Sequence, residues 1–202
     1  MRTIKELIYA DLVKARPEID IYYVEEGSSK PIIPNNENYF IVTPVSGIKN
    51  FSKGLSYFAT SIALLNKNDI LASIIYDPIK DEMFVSEKGK GAFINNSRIR
   101  VSSNKEITKS VFVFERASLM QGFIDKNITS DNNNMRVLGS NCLDLANTAS
   151  GRIDGYISDK LNEPKLSAGL LILRESGGIK VNLNGSKYSV MTNNLLAESF
   201  TG

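Results

Sequence analysis

Residues 39–51 read Tyr39-Phe40-Ile41-Val42-Thr43-Pro44-Val45-Ser46-Gly47-Ile48-Lys49-Asn50-Phe51. Aromatic and β-branched residues open the stretch, a proline and a Ser-Gly pair follow, and a helix-compatible segment closes it. The form is a strand feeding a glycine turn and a helix start, where backbone N–H groups can face an anion. No carboxylate stands anywhere in the segment; Thr43 and Ser46 supply only hydroxyls.

On the N-terminal side, Ile4, Leu7, Ile8, Leu12 and Ala15 form one stripe at helical spacing across residues 3–15. Pro17 ends that helix, because the residue before a proline is pushed out of the helical region. Ile19–Val24 reads as a strand and Gly27–Asn38 as a polar loop, before Tyr39–Val42 begins the next strand. On the C-terminal side, Phe58–Leu65, Ile70–Tyr76, Met83–Glu87 and Gly91–Ile94 form a meander, with turns at Asp77-Pro78 and at 87–91. The run Glu87-Lys88-Gly89-Lys90-Gly91 lacks the order of a phosphate loop and opens no helix, so it is a hairpin turn.

After residue 105 strands alternate with helices, which favours an α/β lobe (106–202) behind an α+β lobe (1–105), joined near Ile99–Ser110. The expected elements are strands at Ser110–Glu115, Met135–Leu138, within Gly151–Ser158, at Ile179–Leu183 and at Ser189–Thr192. Helices are expected at Cys142–Ala149 and Leu166–Ser176, the second capped by Gly177-Gly178. Asp131–Asn134 is a polar loop, and Asn193 or Asn194 caps a last short helix.

Composition narrows the chemistry. The chain has 202 residues, 42% of them hydrophobic and 23% charged, enough for one core or two small packed lobes. A net charge of +2, with interspersed signs, gives no reason to expect nucleic acid or a membrane surface. Cys142 is the single cysteine and reads as a small buried apolar residue. No segment reaches membrane-spanning length and the N-terminus is not a signal peptide, so a cytoplasmic location is expected. With no histidine, Ser-His-Asp nucleophiles, His-ligated zinc and imidazole acid–base catalysis are excluded.

Further blocks accompany the opening segment: A-R-P-E with V-E-E-G-S (15–28), E-K-G-K-G-A-F-I-N (87–95), R-I-R-V-S (98–102), L-G-S-N-C-L-D-L-A (138–146), S-G-R-I-D-G-Y (150–156) and A-G-L-L-I-L-R-E-S-G-G (168–178). Together they resemble the inositol monophosphatase superfamily, and within it the bacterial extragenic-suppressor, SuhB-like, branch. They run in that family's order over nearly the whole chain. The resemblance implies a layered αβαβα sandwich, a cleft between two lobes, a homodimer and Mg²⁺-dependent hydrolysis of phosphate monoesters. It also implies that the first helices of the family's sandwich lie upstream of anything in this sequence.

Residue by residue, Glu25 stands at the family's metal-binding glutamate. Thr43, the carbonyl of Val45, and Ser46 stand where the family has an aspartate, a main-chain carbonyl and a second aspartate. Ile48 replaces the threonine that helps position phosphate and activate water. Lys165 replaces a further metal-binding aspartate, and Ser158 a substrate-binding glutamate. Mg²⁺ is usually held by carboxylates together with water and substrate phosphate. The three acid replacements shift the formal charge of such a site by about four units toward positive. Lys165 alone repels a contact charge by roughly 4 kcal/mol per unit near a protein surface.

The expectation is therefore an inactive relative with no bound cofactor, kept as a binding or regulatory scaffold. Its ligand would be a phosphate or sugar phosphate held without metal by Gly47, Ile48, Lys49 and Lys165. The competing reading of Lys165 is that it pairs with Glu25 or Glu163 and props an empty cleft. The competing function is an active Mg²⁺ phosphomonoesterase drawing ligands from Glu26, Asp159 or a neighbouring subunit. A truncated paralogue with no role beyond folding is a third. By family analogy a protein partner would belong to the transcription machinery. Asp144 is expected to be a local structural partner and Asp154 a turn former.

Overall fold

A computed structural model describes residues 3–25, 34–117, 134–159, 164–182 and 189–198. Glu26, Glu163, most of the 27–38 loop and of the 131–134 loop, and Leu183 lie outside the described residues. Helix α1 spans Ile4–Ala15 and opens with a capping box, in which Thr3 and Glu6 satisfy each other's backbone N–H. A seven-stranded sheet follows: β1 (Asp20–Tyr23), β2 (Asn38–Ser46), β3 (Ala59–Asn66), β4 (Asp69–Asp77), β5 (Glu82–Glu87), β6 (Gly91–Ile94) and β7 (Ser97–Arg98), hydrogen-bonded in chain order. Only the β1–β2 pair is parallel, and a meander joins the rest. Short helix α2 (Ile48–Ser52) interrupts the sheet after β2.

The second sheet has the order β11-β12-β10-β8-β9, from β8 (Phe112–Phe114), β9 (Met135–Arg136), β10 (Gly155–Ser158), β11 (Ile179–Asn182) and β12 (Ser189–Thr192). Helices α3 (Asn141–Ala149) and α4 (Ser167–Glu175) lie between the two sheets. One apolar cluster joins Ile41, Ala63, Ile75 and Phe84 of the first sheet, Leu143, Leu145, Ala146 and Ile172 of the helices, and Val113, Tyr156 and Met191 of the second. Sandwiched so, α3 is buried at every position from Cys142 to Ala149. The helices approach closely at Gly169, where an added Cβ would stand 2.6 Å from Leu145. A second cluster on the far side of the second sheet lies under α5 (Asn194–Ala197). The layers are thus α1, sheet, α3 with α4, sheet, α5.

The strand meander, both inner helices and the Asn193 cap stand where the sequence puts them. The cap is explicit, since the Asn193 side chain accepts a 2.8 Å bond from Leu196 N–H. The 87–91 turn is a hairpin whose Gly89 and Gly91 N–H groups donate to the Glu175 carboxylate at 2.9 and 3.0 Å, so its donors serve α4 and no phosphate. Two readings need correction. Strand β2 continues past Val42 to Ser46 through a register shift, which tolerates Pro44 because a bulge frees it from the ladder. Strands β8 and β9 are shorter than expected. On the α1 stripe, Ile8 and Leu12 are half-buried while Ile4 and Leu7 are exposed.

Buried polar ties lock the layers. Tyr57 donates to the Asp144 carboxylate at 2.8 Å and accepts from the Asn147 amide at 3.3 Å. Asp154 accepts from Ser102 at 2.5 Å and from Val111 N–H at 2.8 Å, tying the inter-sheet segment to the second sheet. Burial, then the Asp144 charge, pushes the Tyr57 phenol far up; burial, then the Glu115 charge, does the same to Tyr156. Both stay protonated in the folded chain above the free-phenol pKa near 10. The unfolded chain then loses protons first, so this stability is full below about pH 10 and declines above it, by about 1.4 kcal/mol per pH unit for each phenol. The urea midpoint is expected to fall steeply above about pH 10, with phenolate absorbance rising only as the chain unfolds. A midpoint flat to about pH 11 contradicts this.

Candidate functional site

The turn that opens the sequence reading is rigid. Gly47 sits at φ +88° with ψ 40°, and an added Cβ would meet Tyr57 O at 2.8 Å and Ser140 Cβ at 3.1 Å. Only glycine fits both the backbone and the space. Asn50 clamps the turn from beneath, its amide donating at 2.8 Å to both Tyr57 O and Leu138 O. Phe51 packs edge-on against Phe58 with ring centres 4.9 Å apart.

Thr43 and Ser46 of β2 face inward. Ser46 is buried; its hydroxyl accepts from Cys142 N–H at 3.3 Å and lies 3.1 Å from Ser140 Oγ. Cys142 is in the first turn of α3, and Ser140, at the cap position, makes no side-chain cap bond. Ser46 therefore caps α3 across the chain, satisfying one of its orphan donors. Thr43 is buried beside Ser61, and its hydroxyl has no hydrogen-bond partner among the described residues. An unpaired buried hydroxyl costs on the order of 1–3 kcal/mol. Thr43→Val, which keeps the shape, is expected to raise stability by about 1 kcal/mol in urea denaturation. A loss of stability would show that the hydroxyl is used.

Glu25 and Lys165 are apart. Glu25 has a 64% exposed side chain and pairs with Lys5 of α1. That hydrogen bond, and the Lys5 charge, hold its carboxyl below the usual range. Lys165, in a one-turn 3-10 helix at Pro164–Leu166 ahead of α4, lies 3.2 Å from Glu115. Glu115 also accepts from Ser158 at 2.6 Å, and Arg116 pairs with Asp159 at 2.5 Å. The pairing of Lys165 with Glu25 is thus corrected: Lys165 meets Glu115, at the end of β8, and Glu25 meets Lys5.

Two cavities flank Ile48. One of about 500 Å³ is lined by Thr3, Ile4, Lys5, Val24, Glu25, Pro44 and Val45. The other, of about 420 Å³, is lined by Lys49, Asn50, Glu115, Arg116, Gly139, Asn141 and Lys165. Glu25 and Val45 therefore face a largely apolar hollow, while Lys49 and Lys165 face one whose walls carry several charged and amide side chains. Sequence reading missed Glu115 and Arg116. Their position directly after a strand parallel to its neighbours was the available signal, because open α/β sheets place functional groups at such strand ends.

This donor set does not fit Mg²⁺. The ion wants near-octahedral oxygen ligation with carboxylates. Here Ser46 is consumed as a helix cap, Thr43 is enclosed, Glu25 is paired with Lys5, and Lys165 brings an ammonium onto Glu115. Among the described residues no group of three or more His, Cys, Asp or Glu could hold a metal.

Comparison with known proteins gives these positions their context. The sequence pattern of the Inositol monophosphatase family matches residues 1–201. An inositol-1-monophosphatase of Mesorhizobium japonicum is 34% identical over 92% of this chain and 71% of its own length. The Nus factor SuhB of Pasteurella multocida is 33% identical over 96% of this chain and 74% of its own. Among solved structures, the extragenic suppressor protein SuhB of Bartonella henselae superposes with a TM-score of 0.81 at 32% identity, covering 98% of this chain and 81% of that one. The inositol monophosphatase of Thermotoga maritima gives 0.82 at 26% identity, covering 98% and 80%. With the strand–glycine–helix turn, the layer order and the sequence match in agreement, the chain belongs to the inositol monophosphatase family.

Proposed function

We propose that this family member is a binding scaffold that neither holds Mg²⁺ through the family's ligand positions nor hydrolyses phosphate monoesters. The observation that carries the reading is the inward turn of Ser46 onto the α3 N-terminus, beside a lysine where a metal-bound site needs an acid. Of the ligands the active alternative would draw on, Asp159 has one carboxylate oxygen committed to Arg116. Wild-type protein is expected to show no Mg²⁺-dependent release of phosphate from a generic phosphomonoester. Thr43→Asp, Ser46→Asp and Lys165→Asp together are expected to create metal uptake. Lithium-sensitive turnover by the unmodified chain would overturn the reading.

The ligand class is a phosphate or sugar phosphate bound without metal in the cavity lined by Lys49 and Lys165. With Glu115 paired to Lys165 and Asp159 to Arg116, Lys49 leaves the walls net positive by one, so the cavity favours an anion. Inorganic phosphate without Mg²⁺ is expected to raise the melting temperature, because a ligand that binds only the folded state stabilises it. A flat response excludes this ligand class. Relatives bearing the name Nus factor SuhB support a regulatory protein partner in transcription; a cytoplasmic homodimer is proposed with it. No helix among the described residues is long and apolar enough to cross a membrane.

A further inference from the structure

The cavity beside Lys49 and Lys165 has its own anions built into it. Strands β8 and β10 run parallel, with Ile157 beside Phe114 and Glu115 N–H donating to Ile157 O at 3.1 Å, so their ends emerge side by side. Each end brings one carboxylate, Glu115 after β8 and Asp159 after β10, and both side chains are only 8% exposed. The cation is the more exposed member of each pair: Lys165 at 3.2 Å from Glu115, and Arg116 at 2.5 Å from Asp159. Lys49, exposed on α2, is the third cation, and Asn141 at the start of α3 adds an uncharged amide. Deeper on β10, Tyr156 feels the Glu115 charge and stays a neutral phenol. Among the described residues, Lys49, Arg116 and Lys165 thus stand against Glu115 and Asp159, with one positive charge in excess.

That excess matches one negative charge and no more. A singly charged phosphate brings the enclosure to neutrality. A doubly charged one overshoots, and its second charge shares the cavity with the Glu115 carboxylate, whose two oxygens already take Lys165 and Ser158. Like charges in one site strongly disfavour the ionisation of both, and an uncompensated charge out of water is costly. Glu115 cannot turn away, because Ser158 at 2.6 Å and Lys165 hold it from two sides.

We infer that this cavity selects a singly charged phosphate, the phosphodiester class, over a doubly charged phosphomonoester, and that Glu115 is the residue that sets the preference. A phosphomonoester enters only as its monoanion, with one proton still on the phosphate. The inference rests on the anion-binding reading above and narrows its ligand class. No aromatic ring stands among the described lining residues, so nothing there stacks a nucleobase; the ester groups that suit the cavity are polyols, which hydrogen-bond the Asn141 amide.

The probes are dimethyl phosphate, always singly charged, and methyl phosphate, whose second ionisation falls near about pH 6 as in other phosphate esters. Calorimetric titration of the full chain without Mg²⁺ compares them at about pH 5.5 and about pH 8, on either side of that ionisation. The chain has no histidine, the side chain that ordinarily changes charge in this interval, so a pH effect confined to methyl phosphate belongs to the ligand. Dimethyl phosphate is expected to bind equally at both pH values, and methyl phosphate to weaken by about tenfold or more at the higher one. Glu115→Gln is expected to tighten methyl phosphate at the higher pH by about tenfold or more, and dimethyl phosphate far less. The wild-type comparison needs no variant and decides the matter if Glu115→Gln folds poorly. Glycerophosphoglycerol is expected to bind more tightly than cyclic AMP; the reverse order overturns the polyol assignment. Methyl phosphate bound at the higher pH as tightly as dimethyl phosphate overturns the inference and leaves the anion-binding reading intact. Failure of both probes to bind at either pH overturns both.

Discussion

Gly47→Ala is expected to cost about 2–4 kcal/mol of folding stability, measured as a shift in urea midpoint at unchanged slope. The left-handed conformation costs a non-glycine residue roughly 1 kcal/mol. The larger part is steric. The new Cβ would be held 2.8 Å from Tyr57 O, a backbone atom that cannot rotate away. Tyr57 O also accepts the Asn50 amide, and the Tyr57 side chain reaches Asp144 on α3, so displacing this strand approach disturbs the inter-sheet layer too. Overpacking of this kind typically costs about 1–3 kcal/mol. Wild-type stability in the alanine variant would mean that the turn is plastic, and would remove the rigid frame on which the cleft is built.

Lys165→Ala is expected to cost about 3 kcal/mol or more, because it strips an ammonium from a buried carboxylate. Lys165 and Glu115 are only 14% and 8% exposed, and Ser158 donates to the same carboxylate. Ser158 cannot supply charge, so Glu115 would be left paying for its burial. Adding Glu115→Gln to Lys165→Ala is expected to recover most of the loss, since removing both members of a buried pair costs far less than removing one. The same logic governs the metal-restoring variant. Lys165→Asp sets a carboxylate against Glu115, so the triple variant should melt below wild type without Mg²⁺ and regain stability with it. A double variant no more stable than Lys165→Ala would show that the pair is not the source of the loss.

The parts of this fold legible in the sequence are those with strong local signals. The meander from β3 to β6 is written in β-branched runs separated by turn residues, and α3, α4 and the Asn193 cap have clear punctuation. The continuation of β2 through Pro44 was not legible, because a proline argues against a strand until a bulge excuses it. The half-exposed state of α1 was hidden for a related reason: an apolar stripe says that a helix wants cover without saying that the same chain provides it. At the site, the expectation that positions 43, 46 and 165 stand where the family carries acids rests on residue identity and resemblance alone. The contacts those side chains make are not legible there. The capping of α3 by Ser46 spans 96 residues to Cys142, and the partnership of Lys165 with Glu115 spans 50. No periodicity encodes such contacts; they follow from how two sheets close on the helices between them.

The most direct test is calorimetric titration of Mg²⁺ into the unmodified full chain, with and without inorganic phosphate. The expected result is no saturable heat attributable to the metal in either case, while the Thr43→Asp, Ser46→Asp, Lys165→Asp variant takes up the ion. Saturable, stoichiometric Mg²⁺ binding by the wild-type chain would contradict the account at its root.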